Sequence, residues 1–227
     1  MCIVIFKPKG TKCTEELIDA IITSGIRNSD GMGVAIKRDG KKTILLKKGL
    51  YKPESFGNFV RKLEIQDDDE MLFHARIRTH GATSDQNCHP YIISPTEAII
   101  DNTSDESIKL PVLAHNGMMY DCYETGSVHS DTYLFVKNFA SLPGFMAMMK
   151  ECGNIKTPKS KIQNIVFGFN KICIMFPDKE AILIGNFQID LDGCYFSNSS
   201  YKNFNKPVLL PEIIDDNVPY GDGYASY

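Results

Sequence analysis

The sequence has no apolar stretch of the roughly 20 residues needed to cross a bilayer. It also has no basic segment ahead of its first apolar run, Ile3 to Phe6, and no small-residue cleavage site after it. Neither a spanning helix nor a signal peptide is expected. Charge of one sign is not in excess: the net charge is −3 over 227 residues. That balance gives no global case for binding nucleic acid or a membrane surface. There is no CxxC pair among the seven cysteines, and an odd count does not suit a disulfide framework. The thiols are read as reduced and the compartment as cytoplasmic. HExxH and repeated Cys/His spacings are also missing, so His74, His80, His89 and His115 are not expected to hold a metal. No cofactor is expected either. No GxxxxGK[ST] phosphate cradle is present.

What is present is an ordinary globular composition, 43% hydrophobic and 23% charged, enough to build a core. Strands are predicted over Ile3–Phe6, Met32–Ile36, Thr43–Lys47, Glu70–Ile77, Pro111–Ala114, Asn164–Phe169, Ile172–Phe176 and Ala181–Ile184. Asp39-Gly40 is a hairpin signal between the second and third of these, and further hairpins are predicted at Asn170 and at Asp178-Lys179. Helices are predicted after a Thr14 cap with a stop at Gly25, over Glu54–Leu63, from Ser130, and briefly from Phe145. Residues 78–110 read mostly as loop, with the polar stretch 101–107 as an exposed excursion. The Lys41/Lys42/Lys47/Lys48 and Asp67/Asp68/Asp69/Glu70 runs read as solvated. Many strands with few helices imply an α+β fold of antiparallel sheets. The expected division is one domain over 1–200 and a polar tail over 201–227.

Four clusters carry chemistry. Cys2, once Met1 is removed, has a thiol and a free α-amine on one residue, and that amine titrates near pH 7.7–8.0, close to the ideal for a general base. Alone, a cysteine here is more often a packing residue. In Phe73-His74-Ala75-Arg76-Ile77-Arg78-Thr79-His80-Gly81, alternation puts His74, Arg76 and Arg78 on one strand face. An arginine there suits a carboxylate, and a solvated edge strand is the plainer alternative. His115-Asn116-Gly117 is a turn signal that also offers a side-chain amide and an unobstructed backbone N–H to an oxyanion. Ser130-Asp131-Thr132 is a helix cap whose carboxylate could instead pair with an ammonium group.

Together these clusters resemble the glutaminase domain of class II glutamine amidotransferases, members of the N-terminal nucleophile (Ntn) hydrolases. The match runs in order through Cys2, the turn Arg27-Asn28-Ser29-Asp30-Gly31-Met32-Gly33, His74 to Gly81, Asn87-Cys88-His89-Pro90, His115-Asn116-Gly117 and Ser130-Asp131, over about the first 140 residues. The resemblance implies a four-layer αββα sandwich. It implies that Cys2 attacks the side-chain amide of L-glutamine through a thioester intermediate. Asn116 and Gly117 would hold the oxyanion, and Arg76 would grip the α-carboxylate, with Thr79 and His80 shaping that pocket. Asp131 would pair with the α-ammonium, and Arg27 would sit beside Cys2 and orient it. The sequence departs from the family pattern at Ile3, Asn28 and Ile77, where glycine, glycine and an aromatic are common.

The resemblance also implies a consumer for the released ammonia. The residues after 140 read as further strands and a tail, so a separate synthase subunit is the expected partner. Two other functions remain open on the residues alone: hydrolysis of a different amide by the same cysteine, and a non-catalytic binding module that keeps the fold.

Overall fold

The computed structural model describes residues 1–122, 124–145, 147 and 170–202. The Asn164–Phe169 strand, most of the short helix from Phe145 and nearly all of the 201–227 tail lie outside the described residues. Among the described residues, eleven strands form two antiparallel sheets. The larger sheet orders its strands β10 (Gln188–Asp190), β11 (Cys194–Phe196), β1 (Ile3–Lys7), β4 (Glu70–Ala75), β2 (Met32–Lys37), β3 (Ile44–Leu50), β6 (Ser104–Ile108), and the smaller β5 (Tyr91–Ile92), β7 (Val112–Asn116), β8 (Lys171–Met175), β9 (Ile182–Ile184). In the larger sheet, β1 (Ile3–Lys7) and β2 (Met32–Lys37) flank the central β4 (Glu70–Ala75). The alternation of Ile3 and Ile5 with Val4 and Phe6 sends side chains to opposite faces. Ile3 and Ile5 join a core with α1 (Glu15–Arg27) and α2 (Pro53–Lys62). Val4 and Phe6 join Val112, Ala114, Cys173 and Met175 of β7 (Val112–Asn116) and β8 (Lys171–Met175) in a core between the sheets. The outer face of the smaller sheet packs on α3 (Glu97–Ile100) through Ile100, and on α4 (Asp131–Phe135) and the turn after it through Leu113, Ile172, Ile174, Tyr133 and Val136.

Several expectations change. The strand carrying His74 is no solvated edge: all six residues of β4 are buried, and all but Glu70 pair on both sides. Helix α1 passes Gly25 and ends at Arg27, because Gly25 is a close-packing position. A Cβ there would fall 2.3 Å from Met32 Sδ. The polar 101–107 stretch is exposed as expected, yet Ser104–Ile108 pairs as edge strand β6 on β3 (Ile44–Leu50). Four strands escaped the sequence reading, β5 (Tyr91–Ile92), β6, β10 (Gln188–Asp190) and β11 (Cys194–Phe196), and β11 places the chain after it beside the start of β1. Two charge runs are only partly solvated. Lys48 is 2% exposed, donates to Gln86 O and Ile100 O, and lies over the Tyr91 ring. Burial lowers its pKa to about 8. Asp69 pairs with Arg38 at 2.6 Å and Glu70 with Lys37 at 2.5 Å, while Lys7 donates to the carbonyls of Gln66, Asp67 and Asp69. Among the described residues no helix is long and apolar enough to cross a membrane.

Gly33 in β2 is where the sheet admits the His89-Pro90 backbone. A Cβ at Gly33 would lie 2.1 Å from His89 O, and a backbone atom cannot swing aside as a side chain can. Gly33→Ala is expected to cost about 1–3 kcal/mol, the usual range for overpacking. In urea titrations this reads as a lower midpoint with an unchanged slope.

Candidate active site

The β1–β4 pairing brings the chain just before β1 against the chain just after β4. Cys2 Sγ donates to Ile77 O at 3.3 Å and accepts from Ile77 N–H at 3.4 Å. Burial raises the thiol pKa, with the Ile77 backbone and the Arg76 guanidinium pulling the other way. At neutral pH the group is therefore a thiol that needs a base. It faces a cleft lined by Cys2, Arg76, Ile77, Thr79, His80 and Gly117, and by His89, His115 and Ser130–Thr132.

Arg76 is buried and donates to Ala82 O at 2.9 Å and His80 O at 2.7 Å. It thus folds the 80–82 turn back on itself. Gly81 has φ +72°, and a Cβ there would meet Ser130 N at 2.7 Å, so the turn rests directly on the start of α4. Asn87 ties the same pieces from below. It donates to Ala82 O and Val128 O and accepts from Ser130 N–H. Ser130 Oγ caps α4 by accepting from Tyr133 N–H, which leaves Asp131 as the first helical residue with its carboxylate on the cleft. Its two oxygens accept from Met119 N–H at 2.7 Å and Thr132 N–H at 2.8 Å. The Asn28–Gly31 turn also reaches the site. Arg76 N–H donates to Gly31 O, and Asp30 accepts from Arg78 N–H at 2.8 Å.

Buried His89 and His115 line the cleft, with buried His74 stacked on His89, and their partners fix their hydrogens. Asn170 Oδ1 accepts from Met118 N–H, so His115 Nε2, 2.9 Å from the same oxygen, is also a donor. His115 Nδ1 is left to accept from Thr132 Oγ1. His115 N–H donates to His89 Nδ1, and His115 O accepts from His74 Nε2. His74 stacks on His89 at 3.9 Å, with its Nδ1 unpartnered. Among the described residues no group of three His, Cys, Asp or Glu is arranged to hold a metal. Six cysteines there are free thiols.

The cleft therefore brings together Cys2, Arg76, Thr79, His80, Gly117 and Asp131. It does not include Asn116 or Arg27. Asn116 is the last residue of β7, and its amide donates to the buried Ser197 Oγ at 2.9 Å. Arg27 is exposed and donates to Ser200 O at 2.9 Å. Gly117 has φ +150°, and a Cβ would fall 2.0 Å from Asn170 Oδ1, so the turn tolerates no side chain. No protein-family model matches the chain, and no curated protein sequence does. Among solved structures, one that is similar is the glutamine phosphoribosylpyrophosphate amidotransferase of B. subtilis, complexed with ADP and GMP. It shows 17% identity and a TM-score of 0.47, with 87% of this chain and 42% of that chain covered. This is a distant fold likeness, and the chain spans less than half the length of that protein.

The sequence marks Asn170 only as a hairpin turn and gives no signal for Ser197 or Asn198, because their contacts with His115, Asn116 and Cys2 are distant in sequence and belong to no motif.

Burial holds His74 near pKa 3 and holds His89 and His115 below the ordinary histidine range. The folded protein thus binds fewer protons than the unfolded chain once pH drops below the ordinary value of about 6.5. The stability these groups carry is complete above that pH and is lost as pH falls. For His74 alone the loss by pH 5 is about 2 kcal/mol. The melting temperature is expected to be level from pH 8 to 7 and to fall steeply between pH 6.5 and 5. A level profile down to pH 5 would contradict these buried neutral histidines.

Proposed function

We propose that this protein is a cytoplasmic glutamine amidohydrolase of the N-terminal nucleophile type, with Cys2 as nucleophile after loss of Met1. The observation that carries this reading is the single cleft that the Cys2 thiol shares with the Arg76 guanidinium and the Asp131 carboxylate. Free glutamine bears a carboxylate and an ammonium on one carbon. A site selective for it needs a cation and an anion at fixed places beside the nucleophile, and an acyl amide without those charges would have no use for them. The three cores, helix–sheet, sheet–sheet and sheet–helix, support a four-layer αββα arrangement.

In the proposed reaction the Cys2 α-amine takes the thiol proton as Sγ bonds to the side-chain amide carbon of glutamine. The carbonyl oxygen gathers the negative charge beside the Gly117 N–H and one N–H of Asn116. The ammonium of Cys2 then returns the proton to the amide nitrogen, the C–N bond breaks, and ammonia leaves a γ-glutamyl thioester on Cys2. Water, deprotonated by the same amine, attacks the thioester to release glutamate and the thiol. Arg76 holds the α-carboxylate against the 80–82 turn, flanked by Thr79 and His80, while Asp131 holds the α-ammonium. A separate synthase subunit would consume the ammonia.

Mass spectrometry of the expressed protein should show Met1 absent, since its retention would block the base. The processed protein should release glutamate from glutamine. Cys2→Ala should abolish release without unfolding the chain, and Asp131→Asn should raise KM far more than it lowers kcat. Absence of glutamate from the processed wild type, with and without candidate partners, would overturn the reading.

A further inference from the structure

An N-terminal residue has no preceding peptide bond to hold it. Rotation about its Cα–C bond swings thiol and amine together, so a nucleophile of this kind needs anchors that do not come from the chain before it. In this protein the anchors come from the segment after β11. Asn198 Nδ2 donates to Cys2 O at 2.7 Å. Asn198 Oδ1 accepts from Ser200 N–H at 2.9 Å, which fixes the amide so that its nitrogen faces Cys2. Ser200 O is in turn held by Arg27 at 2.9 Å. One residue earlier, Ser197 is fully buried. Its backbone N–H donates to Val4 O, and its Oγ accepts from Val4 N–H at 2.8 Å and from the Asn116 amide at 2.9 Å. Lys171 Nζ donates to Ser197 O.

We infer that Ser197 and Asn198 are positioning residues that fix Cys2 relative to the oxyanion donor Asn116, and that Arg27 acts on Cys2 through this segment without touching it. The inference rests on the glutaminase reading. Asn198 and the Ile77 backbone pin the two ends of Cys2, its carbonyl and its sulfur, and so leave one place for the amine. Ser197 joins the nucleophile's strand in one sheet to Asn116 in the other. It takes one hydrogen of the Asn116 amide and leaves the second to be directed by that fixed plane. The effect is on geometry, so it falls on kcat more than on substrate binding.

The test uses the full chain with Met1 removed. Asn198→Asp keeps the oxygen that accepts Ser200 N–H but replaces the donor to Cys2 O with an acceptor. It is expected to lower kcat by roughly 10- to 100-fold, the scale of a misplaced reacting group, with KM within about threefold of wild type. Alkylation of Cys2 by iodoacetamide should slow, and its pH profile should move to higher pH, because the amine no longer meets the thiol. Arg27→Ala should shift the alkylation profile in the same direction by less. Ser197→Ala should lower kcat without moving the alkylation profile as far as Asn198→Asp does. Circular dichroism gives the folded fraction for each variant. An Asn198→Asp protein whose kcat and alkylation profile match wild type, or whose losses equal its unfolded fraction, would overturn the inference. A wild type that releases no glutamate would instead overturn the glutaminase reading, and the alkylation profiles would still decide whether Asn198 positions Cys2.

Discussion

The rest of the site depends on the register of β1 on β4. Ile3 opposes Ala75 and Val4 opposes His74. One step further, the same register sets Cys2 opposite Arg76. Cys2 shares the parity of Val4 and Phe6, whose side chains enter the core between the sheets, so it projects toward the smaller sheet and Gly117. A slip of one residue would reverse every side chain. Cys2 would then face α1, and Ile3 and Ile5 would leave their core with the helices. Burial on both faces of β1 makes that slip prohibitive. The placement of the proposed nucleophile is thus secured by apolar residues that take no part in any chemistry.

The same packing decides the electrostatics. His74, His89 and His115 are buried and kept neutral; His74 donates to a backbone carbonyl and His115 to an amide oxygen, while His89 accepts a backbone N–H. They pack in and behind the wall without adding charge to it. Arg76 is buried as a cation, at a desolvation cost that two carbonyl acceptors offset. Those acceptors, His80 O and Ala82 O, belong to the turn that presses on the start of α4. A change at Arg76 would therefore disturb the position of Asp131 as well, and the proposed carboxylate and ammonium grips are one mechanical unit. Asp131→Asn is the cleaner probe for this reason.

Much of the architecture was legible because its signals are local. A continuous apolar run marked β1, turn chemistry before Met32 led into β2, alternation marked β4, Asp39-Gly40 marked the β2–β3 hairpin, and Thr14 and Ser130 marked helix starts with the caps that the structure displays. The misses have a common physical origin. Gly25 reads as a stop because its local preference is clear, whereas the contact with Met32 that requires it is tertiary. Lys48, Asp69 and Glu70 read as solvated because a charge run carries no sign of a partner distant in sequence. β6, β10 and β11 are short, polar or interrupted, and they exist as strands only because a neighbour's backbone is there to pair with. In the site, residue types that suit a chemistry on sight (Cys2, Arg76, Asp131) fall on one cleft. Asn116 and Arg27 lie off it, bonded to Ser197 and Ser200, and nothing in their own neighbourhoods foretold those contacts.

A polar seam between the sheets explains why Ser197 and Asn116 are there at all. Apolar contacts such as those of Val4, Leu72, Ala114 and Cys173 stabilise the sandwich but have little direction, and they would tolerate a small slide of one sheet over the other. A reaction between a thiol from one sheet and an oxyanion donor from the other does not tolerate that slide. Val4 N–H and the Asn116 amide meet on one buried oxygen, and leaving either unpaired would cost about 1–3 kcal/mol. That penalty applies to every misaligned arrangement and not to the aligned one. The polar pair thus adds little to the stability of the fold and much to its uniqueness, at the point where the proposed chemistry requires the two sheets to keep one alignment.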